Sequence, residues 1–455
     1  MHSVWAVARN TIAQAMRMKV AFIIIVLLVI LLPLMSMIMT GDGTLQGKLQ
    51  AFVSYGLSLM SLLLCLLTII ISAYTLSNDL RRRHIYLVIT KPIARFQLLC
   101  GKLLGVIFLD IFLLAVFACI IYGLTLMIPK LFDADQAQLV RAQNEFFTAR
   151  KALKPAIDKE QLEEMARKEY EKLEKSGQLP ARMSSEKVYA ELLAQQRFKT
   201  KAVETAASKV WGFENVKLRD PNEVLFIRYK YEVVARSVDE KVLGSWIIGD
   251  YRQIELGPGK WTTPLYRVAR VEALDTFYEL AVPATAIAED GYLAVVFQNP
   301  IENRTTVIIE GLEVLFRADS FTANYCRSVL LILLRLIFLA ALGVSASTWL
   351  SFPVAILVSI VIFTIGTVNG FVIDSFNYLG YGTGLFYNVT FKPLLWLLPK
   401  FDGKLNPTEY MVPARIIGWL FLTKAYAVTV LVKSVFLLVF GVWIFSSREI
   451  AKISA

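Results

Sequence analysis

The chain has 455 residues, 56% of them hydrophobic, and a mean hydropathy of +0.55, above the roughly 45–50% apolar share of soluble domains. A net charge of +11 would suggest nucleic acid in a soluble protein, but in so apolar a chain it follows from Lys and Arg gathering in short loops on one side of a membrane, which sets nucleic-acid binding aside. The four cysteines, Cys65, Cys100, Cys119 and Cys326, lie in or beside apolar segments with no CxxC spacing and no paired histidines, so neither a zinc site nor a disulfide framework is expected.

At the N-terminus, Val4, Trp5, Ala8, Ile12, Ala15 and Met16 recur at helical spacing while Arg9, Arg17 and Lys19 fall off that stripe. This pattern predicts an amphipathic helix lying on a membrane surface. A hydrocarbon core of about 30 Å needs roughly 20 apolar residues in a helix, and six stretches qualify: Val20–Met39, Phe52–Tyr74, Leu103–Met127, Ser328–Ser347, Phe352–Ile373 and Ala425–Ser446. The first is too long for the apolar region of a signal peptide and is followed by no small-residue cleavage site, so it is expected to stay as an anchor.

Charged residues concentrate between Phe132 and Arg327, which places a water-exposed insert inside the membrane frame. Ala134 to Val210 reads as helical: Asp158 with Gln161 has the spacing of a capping box, and Glu163/Arg167, Glu164/Lys168 and Glu171/Lys175 stand four apart. A hairpin of solvated helices broken near Gly177 and Pro180 is expected. From Lys217 the period becomes two, with Leu225, Ile227, Tyr229, Tyr231 and Val233 on one face, and short runs such as TFYELAV, YLAVVFQN, TTVIIE and LEVLF follow between turn residues. These predict a small β-sandwich. The fold class is therefore an α-helical membrane protein with an inserted α+β domain: a first membrane part over 1–130, a helical region over 131–215, the sandwich over 216–325, and a second membrane part over 326–455 containing an external or re-entrant stretch, 374–424.

Basic residues mark the N-terminus, the connector Asn78–Lys102 and the tail with Arg448 and Lys452. The bias of Lys and Arg puts all three on the cytoplasmic side and the insert outside.

The string GDGTLQGKL has Asp42 and Leu49 where a phosphate-binding loop needs glycine and a hydroxyl. His2 and His84 are the only histidines, and His84 stands among arginines that lower its basicity. No catalytic constellation, metal site or cofactor site can be assembled, so the chain is not expected to be an enzyme. Asn303 and Asn388 open glycosylation-type triplets. Gly101 with Gly105 and Gly366 with Gly370 have the spacing of close helix packing. Three ionisable residues fall inside apolar spans: Asp110, Arg335 and Lys433. Each is costly in hydrocarbon, and they either form internal contacts or line a substrate path. Matching depth predicts that Asp110 pairs with Arg335.

The connector NDLRRRHIYLVITKPIARFQLLCGK carries Asp79, then Arg81, Arg82 and Arg83, the apolar run Tyr86, Leu87, Val88 and Ile89, and finally Pro92-Ile93-Ala94-Arg95 and Gly101-Lys102. In that order it resembles the coupling segment of ABC-2-type transporter permeases, with Arg83-His84-Ile85-Tyr86 departing from the family's Gly-Thr turn. The N-terminal ARNTIAQAMRMK and the final WIFSSREI are similar to that family's entry helix and ending. The resemblance covers Met1 to about Lys130 and Tyr325 to Ala455, and excludes the insert.

What it implies is a permease in a prokaryotic cytoplasmic membrane, paired with a second copy or a sister permease, surrounded by membrane lipid, and docked on a cytoplasmic ATPase subunit that holds ATP and Mg. Tyr86 and Leu87 would seat in a cleft of the ATPase, while Arg81, Arg82 and Arg83 meet acidic residues or headgroups. Two other readings stay open: mechanotransmission to an envelope partner, and a receptor or scaffold that transports nothing. The substrate is open as well.

Overall fold

A computed structural model describes residues 2–81, 94–132, 134–155, 159–177, 185–216, 223–235, 240–256, 261–376, 390, 393 and 398–447. The described residues fall into two units, Met1–Ala149 with Asp319–Ala455, and Arg150–Ala318.

The first unit is helical: α1 (His2–Met16), α2 (Lys19–Ile38), α3 (Leu45–Arg81), α4 (Arg95–Leu131) and α5 (Gln136–Glu145) precede the second unit. In the second unit and after it come α6 (Lys159–Lys175), α7 (Ser185–Lys201), α8 (Phe321–Ala346), α9 (Phe352–Phe376), the single turn α10 (Thr408–Met411) and α11 (Trp419–Ser447), which contains a π-helical stretch at Ala427–Ser434. Among the described residues, α2, α3, α4, α8, α9 and α11 are long and apolar enough to cross a membrane; the chain is a membrane protein. Their places match the six predicted stretches, but α3 and α4 run on well past the predicted ends.

α3, α4 and α8 form the buried centre, whereas α2, α9 and α11 keep most of their surface outside. On α2 only Ala21, Leu28, Leu32 and Ser36 are buried, one stripe of a helix that elsewhere presents Phe22, Ile30 and Met37 outward. Such an apolar exterior is stable only in lipid. Glycines allow the closest approaches. A Cβ on Gly105 would stand 2.7 Å from the Ala8 carbonyl and from Thr11 Cβ, and one on Gly101 would stand 2.7 Å from Val7 Cβ. The first glycine pair therefore seats α1 on α4. Against the second pair lies an irregular segment: Cβ atoms on Gly366 and Gly370 would meet Phe401 and Asp402.

The loop between α2 and α3 closes on itself. Asp42 Oδ1 accepts from the backbone N (3.0 Å) and the hydroxyl (2.6 Å) of Thr44, and the Thr44 hydroxyl in turn accepts from Gly47 N at 3.0 Å. GDGT is thus a turn and helix cap, and its bonds to Thr44 hold the Asp42 carboxyl below the usual aspartate range.

The second unit contains a helical hairpin and most of a β-sandwich. α6 and α7 pack through Ala166, Val188 and Leu192. Lys168 pairs with Glu164 at 2.8 Å, while Arg167 pairs with Glu171 at 3.4 Å instead of with Glu163. The strands are β1 (Thr148–Leu153), β2 (Ala202–Val203), β3 (Ser208–Phe213), β4 (Val224–Val233), β5 (Lys241–Gly249), β6 (Tyr266–Ala273), β7 (Phe277–Pro283), β8 (Leu293–Gln298) and β9 (Val307–Ser320). One sheet has the order β1-β9-β4-β7 with β2 on β9, the other β3-β8-β5-β6. Leu225, Ile227, Tyr229 and Tyr231 of β4 point into the core as the alternation predicted. There the Trp246 indole donates to the Tyr231 hydroxyl at 2.8 Å, and the Tyr229 hydroxyl donates to Glu272 Oε2 at 2.9 Å. Burial pushes both phenols up.

The strand pattern differs from expectation in two ways. β1, β2 and β3 lie in the stretch expected to be helical, because β8 and β9 supply ladder partners that local sequence does not reveal. TTVIIE and LEVLF are also one strand, β9, whose pairing with β4 slips between Arg228 and Lys230. Gly311 sits at that slip with φ +62, the left-handed residue of a bulge. Asn303 is engaged: its Oδ1 accepts from Leu243 N and its Nδ2 donates to Leu243 O, both at 2.9 Å. An amide used twice by a strand backbone is not a glycan acceptor, which removes that triplet; Asn388 lies outside the described residues.

Candidate functional site: two polar clusters in the helical unit

The first cluster lies at the two roots of the basic connector. α3 ends at Arg81 and α4 starts at Arg95, so Asp79 and Lys102, predicted as connector residues, belong to helices. Lys102 Nζ lies 2.5 Å from Asp79 Oδ2 and donates to the Thr75 carbonyl at 2.8 Å. Gln14 Nε2 donates to Asp79 Oδ1 at 3.3 Å. Lys102 is 1% exposed and Asp79 9%, so Lys102 cannot touch a docked subunit. Its work is internal: the pair locks the end of α3 to the start of α4, with α1 tied in through Gln14. A buried pair of this kind is costly to break, because the surviving charge is left dry.

Arg95 reaches in another direction. Its Nη1 donates to the carbonyls of Phe445 (2.7 Å) and Ser446 (2.9 Å), the last turn of α11, where unpaired carbonyls and the helix dipole favour a cation. Arg81 is exposed at the end of α3. Arg82, Arg83, Tyr86, Leu87 and Pro92 lie outside the described residues.

The second cluster surrounds residues 398–405, a short piece threaded between α8, α9 and α11 that is irregular up to a single 3-10 turn at Gly403–Leu405. Arg335 Nη2 donates to the carbonyls of Phe401 and Leu405, and its guanidinium lies 5.7 Å from the Phe401 ring centre. Lys433 Nζ donates to the Leu398 carbonyl at 2.7 Å. Asn369 Nδ2 donates to the Pro399 carbonyl at 3.1 Å. The segment's own groups complete the set: Phe401 N donates to Gly366 O at 2.8 Å, and the Asp402 carboxylate accepts from Gly370 N. Irregular backbone among apolar spans survives only when protein supplies its hydrogen bonds, and here polar residues of three spans supply them.

Asp110 and Arg335 do not pair. Asp110 Oδ1 lies 2.9 Å from the Thr68 hydroxyl, and its Oδ2 has no hydrogen-bond partner among the described residues. Arg335 is turned instead toward carbonyls, which no pattern of charges predicts. Sequence reasoning also passed over Gln14, Asn369 and Asn324. The Asn324 amide bonds Arg415 O (2.8 Å) and Ile417 N (2.9 Å), holding a later part of the same irregular stretch. The available signal was an amide side chain standing in an otherwise apolar run.

Among the described residues no group of acidic, histidine and cysteine side chains is placed to hold a metal ion. Comparison of the chain with protein-family models, curated proteins and solved structures finds no match.

Proposed function

We propose that this chain is the permease subunit of an ABC-2-type transporter, carrying a substrate across a prokaryotic cytoplasmic membrane, in the export direction, under the drive of a separate ATPase. One observation supports the reading above the others: four connector residues, Asp79, Arg95, Gly101 and Lys102, have mechanical tasks at its roots. Asp79 and Lys102 clamp α3 to α4, Gly101 seats α1 on α4, and Arg95 holds the end of α11. A loop whose charges only set topology needs no such anchoring. Force applied between Arg81 and Arg95 reaches α1, α3, α4 and α11 together, which is what a coupling element requires.

In this reading Tyr86 and Leu87 contact the ATPase, Arg81, Arg82 and Arg83 steer the encounter, and Asp79, Arg95 and Lys102 position the connector without contacting it. ATP and Mg stay on the ATPase. A second reading, mechanotransmission to an envelope partner, is favoured by one feature: the insert is a compact unit with its own core.

The test is purification of the tagged full chain from native membrane in mild detergent, with mass spectrometry and an ATPase assay. A stoichiometric nucleotide-binding subunit is expected, lost from Tyr86→Ala/Leu87→Ala. Arg95→Ala should retain the subunit but uncouple its hydrolysis from the permease. If no ATPase accompanies the chain, even after cross-linking in the membrane, the transporter reading fails and the scaffold reading replaces it.

A further inference from the structure

In the sandwich, β4 pairs with one side of β9 between Val307 and Leu315, and β1 and β2 share the other side. β2 is short: Ala202 and Val203 face Ile308 and Val307. Continued backwards it would lie against Ile309 and Glu310, but there the chain is already the helix α7, which ends at Lys201. β1 stops at Leu153, and Pro155 beyond it has no N–H to carry a ladder further. The interval of β9 left between them, residues 309–313, lines a cavity of about 290 Å³.

The floor of this cavity is the margin of the sandwich core, where Trp211 of β3, Ile309 and Leu312 are buried. β3 is the edge strand of its own sheet, and it holds the end of α7 in place. The Trp211 indole donates to the Thr200 carbonyl at 3.4 Å, and the Lys209 ammonium donates to the Lys199 carbonyl. The rim carries two ion pairs, Lys201 with Glu310 at 2.8 Å and Lys154 with Glu313 at 3.7 Å. Each ammonium faces a carboxylate, so the rim asks no net charge of an occupant, which sets aside phosphate, nucleic acid and anionic headgroups. Gly311, the bulge residue, stands at the middle of the interval, and bulges collect at sheet edges and beside working sites. A stretch of sheet edge with an apolar floor and a balanced rim is suited to recognising main chain, by strand addition.

We propose that this cavity takes an extended peptide segment of a partner protein, without net charge, its main chain along residues 309–313 of β9 and one apolar side chain on Trp211 and Leu312. Five residues at about 3.3 Å each match the interval. The inference does not depend on the ATPase reading, and its test needs no ATPase. Fluorescein-labelled, end-blocked peptides of the form Thr-Val-Leu-Val-Thr, with the middle residue varied through all natural side chains, are titrated with the full chain in detergent and followed by anisotropy. Peptides with a large aliphatic middle residue should bind, and glycine there should weaken binding about tenfold, the loss of one buried apolar side chain. N-methylation of two successive amides blocks both edges of the peptide and should weaken it about fivefold or more, although it adds apolar surface. Thr200→Trp and Lys154→Trp fill the cavity from its two walls. Both positions lie outside the core, so Tm should hold while binding is abolished. Binding by no peptide of the set would overturn the proposal. Equal affinity for the N-methylated peptide, or full binding by either tryptophan variant, would mean adsorption to the apolar exterior and overturn it too.

Discussion

The two polar clusters use the same kind of side chain in opposite ways. At the connector roots the buried cation, Lys102, meets a carboxylate 2.5 Å away. Around residues 398–405 the cations, Arg335 and Lys433, meet neutral carbonyls. The first arrangement joins two helices by mutual charge neutralisation. The second holds irregular backbone in place through its carbonyls, by hydrogen bonds from cation to neutral acceptor.

The largest difference should appear on removing one charge. Lys102→Met leaves Asp79 dry and unpaired and should cost about 3–5 kcal/mol, seen as a lower Tm in detergent and poor recovery of monodisperse protein. The double variant Asp79→Asn/Lys102→Met should regain much of that loss; equal damage in the double would show that the pair is not a unit.

Arg335→Met should cost less than Lys102→Met if the comparison holds. It strands the buried Phe401 carbonyl, worth about 1–3 kcal/mol, while the part-buried Leu405 carbonyl costs less, and it leaves no lone charge behind. Arg335→Lys should recover part of it. Proteolysis between Leu398 and Leu405 reads the effect directly, because loosening is confined to that segment. Asp110→Asn should leave this proteolytic pattern unchanged, since Asp110 touches Thr68 and not Arg335.

Packing gives a smaller effect that contrasts two glycines on one helix. Gly105→Ala drives a methyl to 2.7 Å from α1 and should cost about 1–3 kcal/mol. At Gly123 a Cβ would meet nothing within 4 Å, and Gly123→Ala should stabilise α4 by up to about 1 kcal/mol. Equal Tm shifts for the two would refute the close seat of α1.

The smallest effect is that of pH on the loop between α2 and α3. The folded Asp42 carboxyl sits below the unfolded value of about 3.9. Its contribution is therefore complete above that value and lost as pH falls through the lower, folded one. Thr44→Ala removes both the carboxylate's partner and the helix cap, and should cost about 1 kcal/mol near neutral pH. The wild-type advantage over Thr44→Ala should shrink in acid as Asp42 protonates; an advantage that grows in acid would contradict the loop assignment.

What the sequence alone determined is whatever depends on period and composition. Six apolar stretches of helical length become six long helices because hydrocarbon and hydrogen bonding leave the backbone no other choice, and the alternation around Tyr229 and Tyr231 becomes a sandwich strand because one face must be buried. Two glycine pairs were recognisable as close contacts, though not what they contact. Tertiary structure alone decided which partner each polar group takes. Asp79 and Lys102 stand 23 residues apart in the chain, and Arg335 with Phe401 66 apart; no local rule links them. Asp110 was matched to Arg335 by depth and charge, yet the carbonyls of an irregular segment claimed the arginine. A carbonyl carries no signature in a sequence, since every residue has one, and only the folded chain shows which are left without a helix to satisfy them.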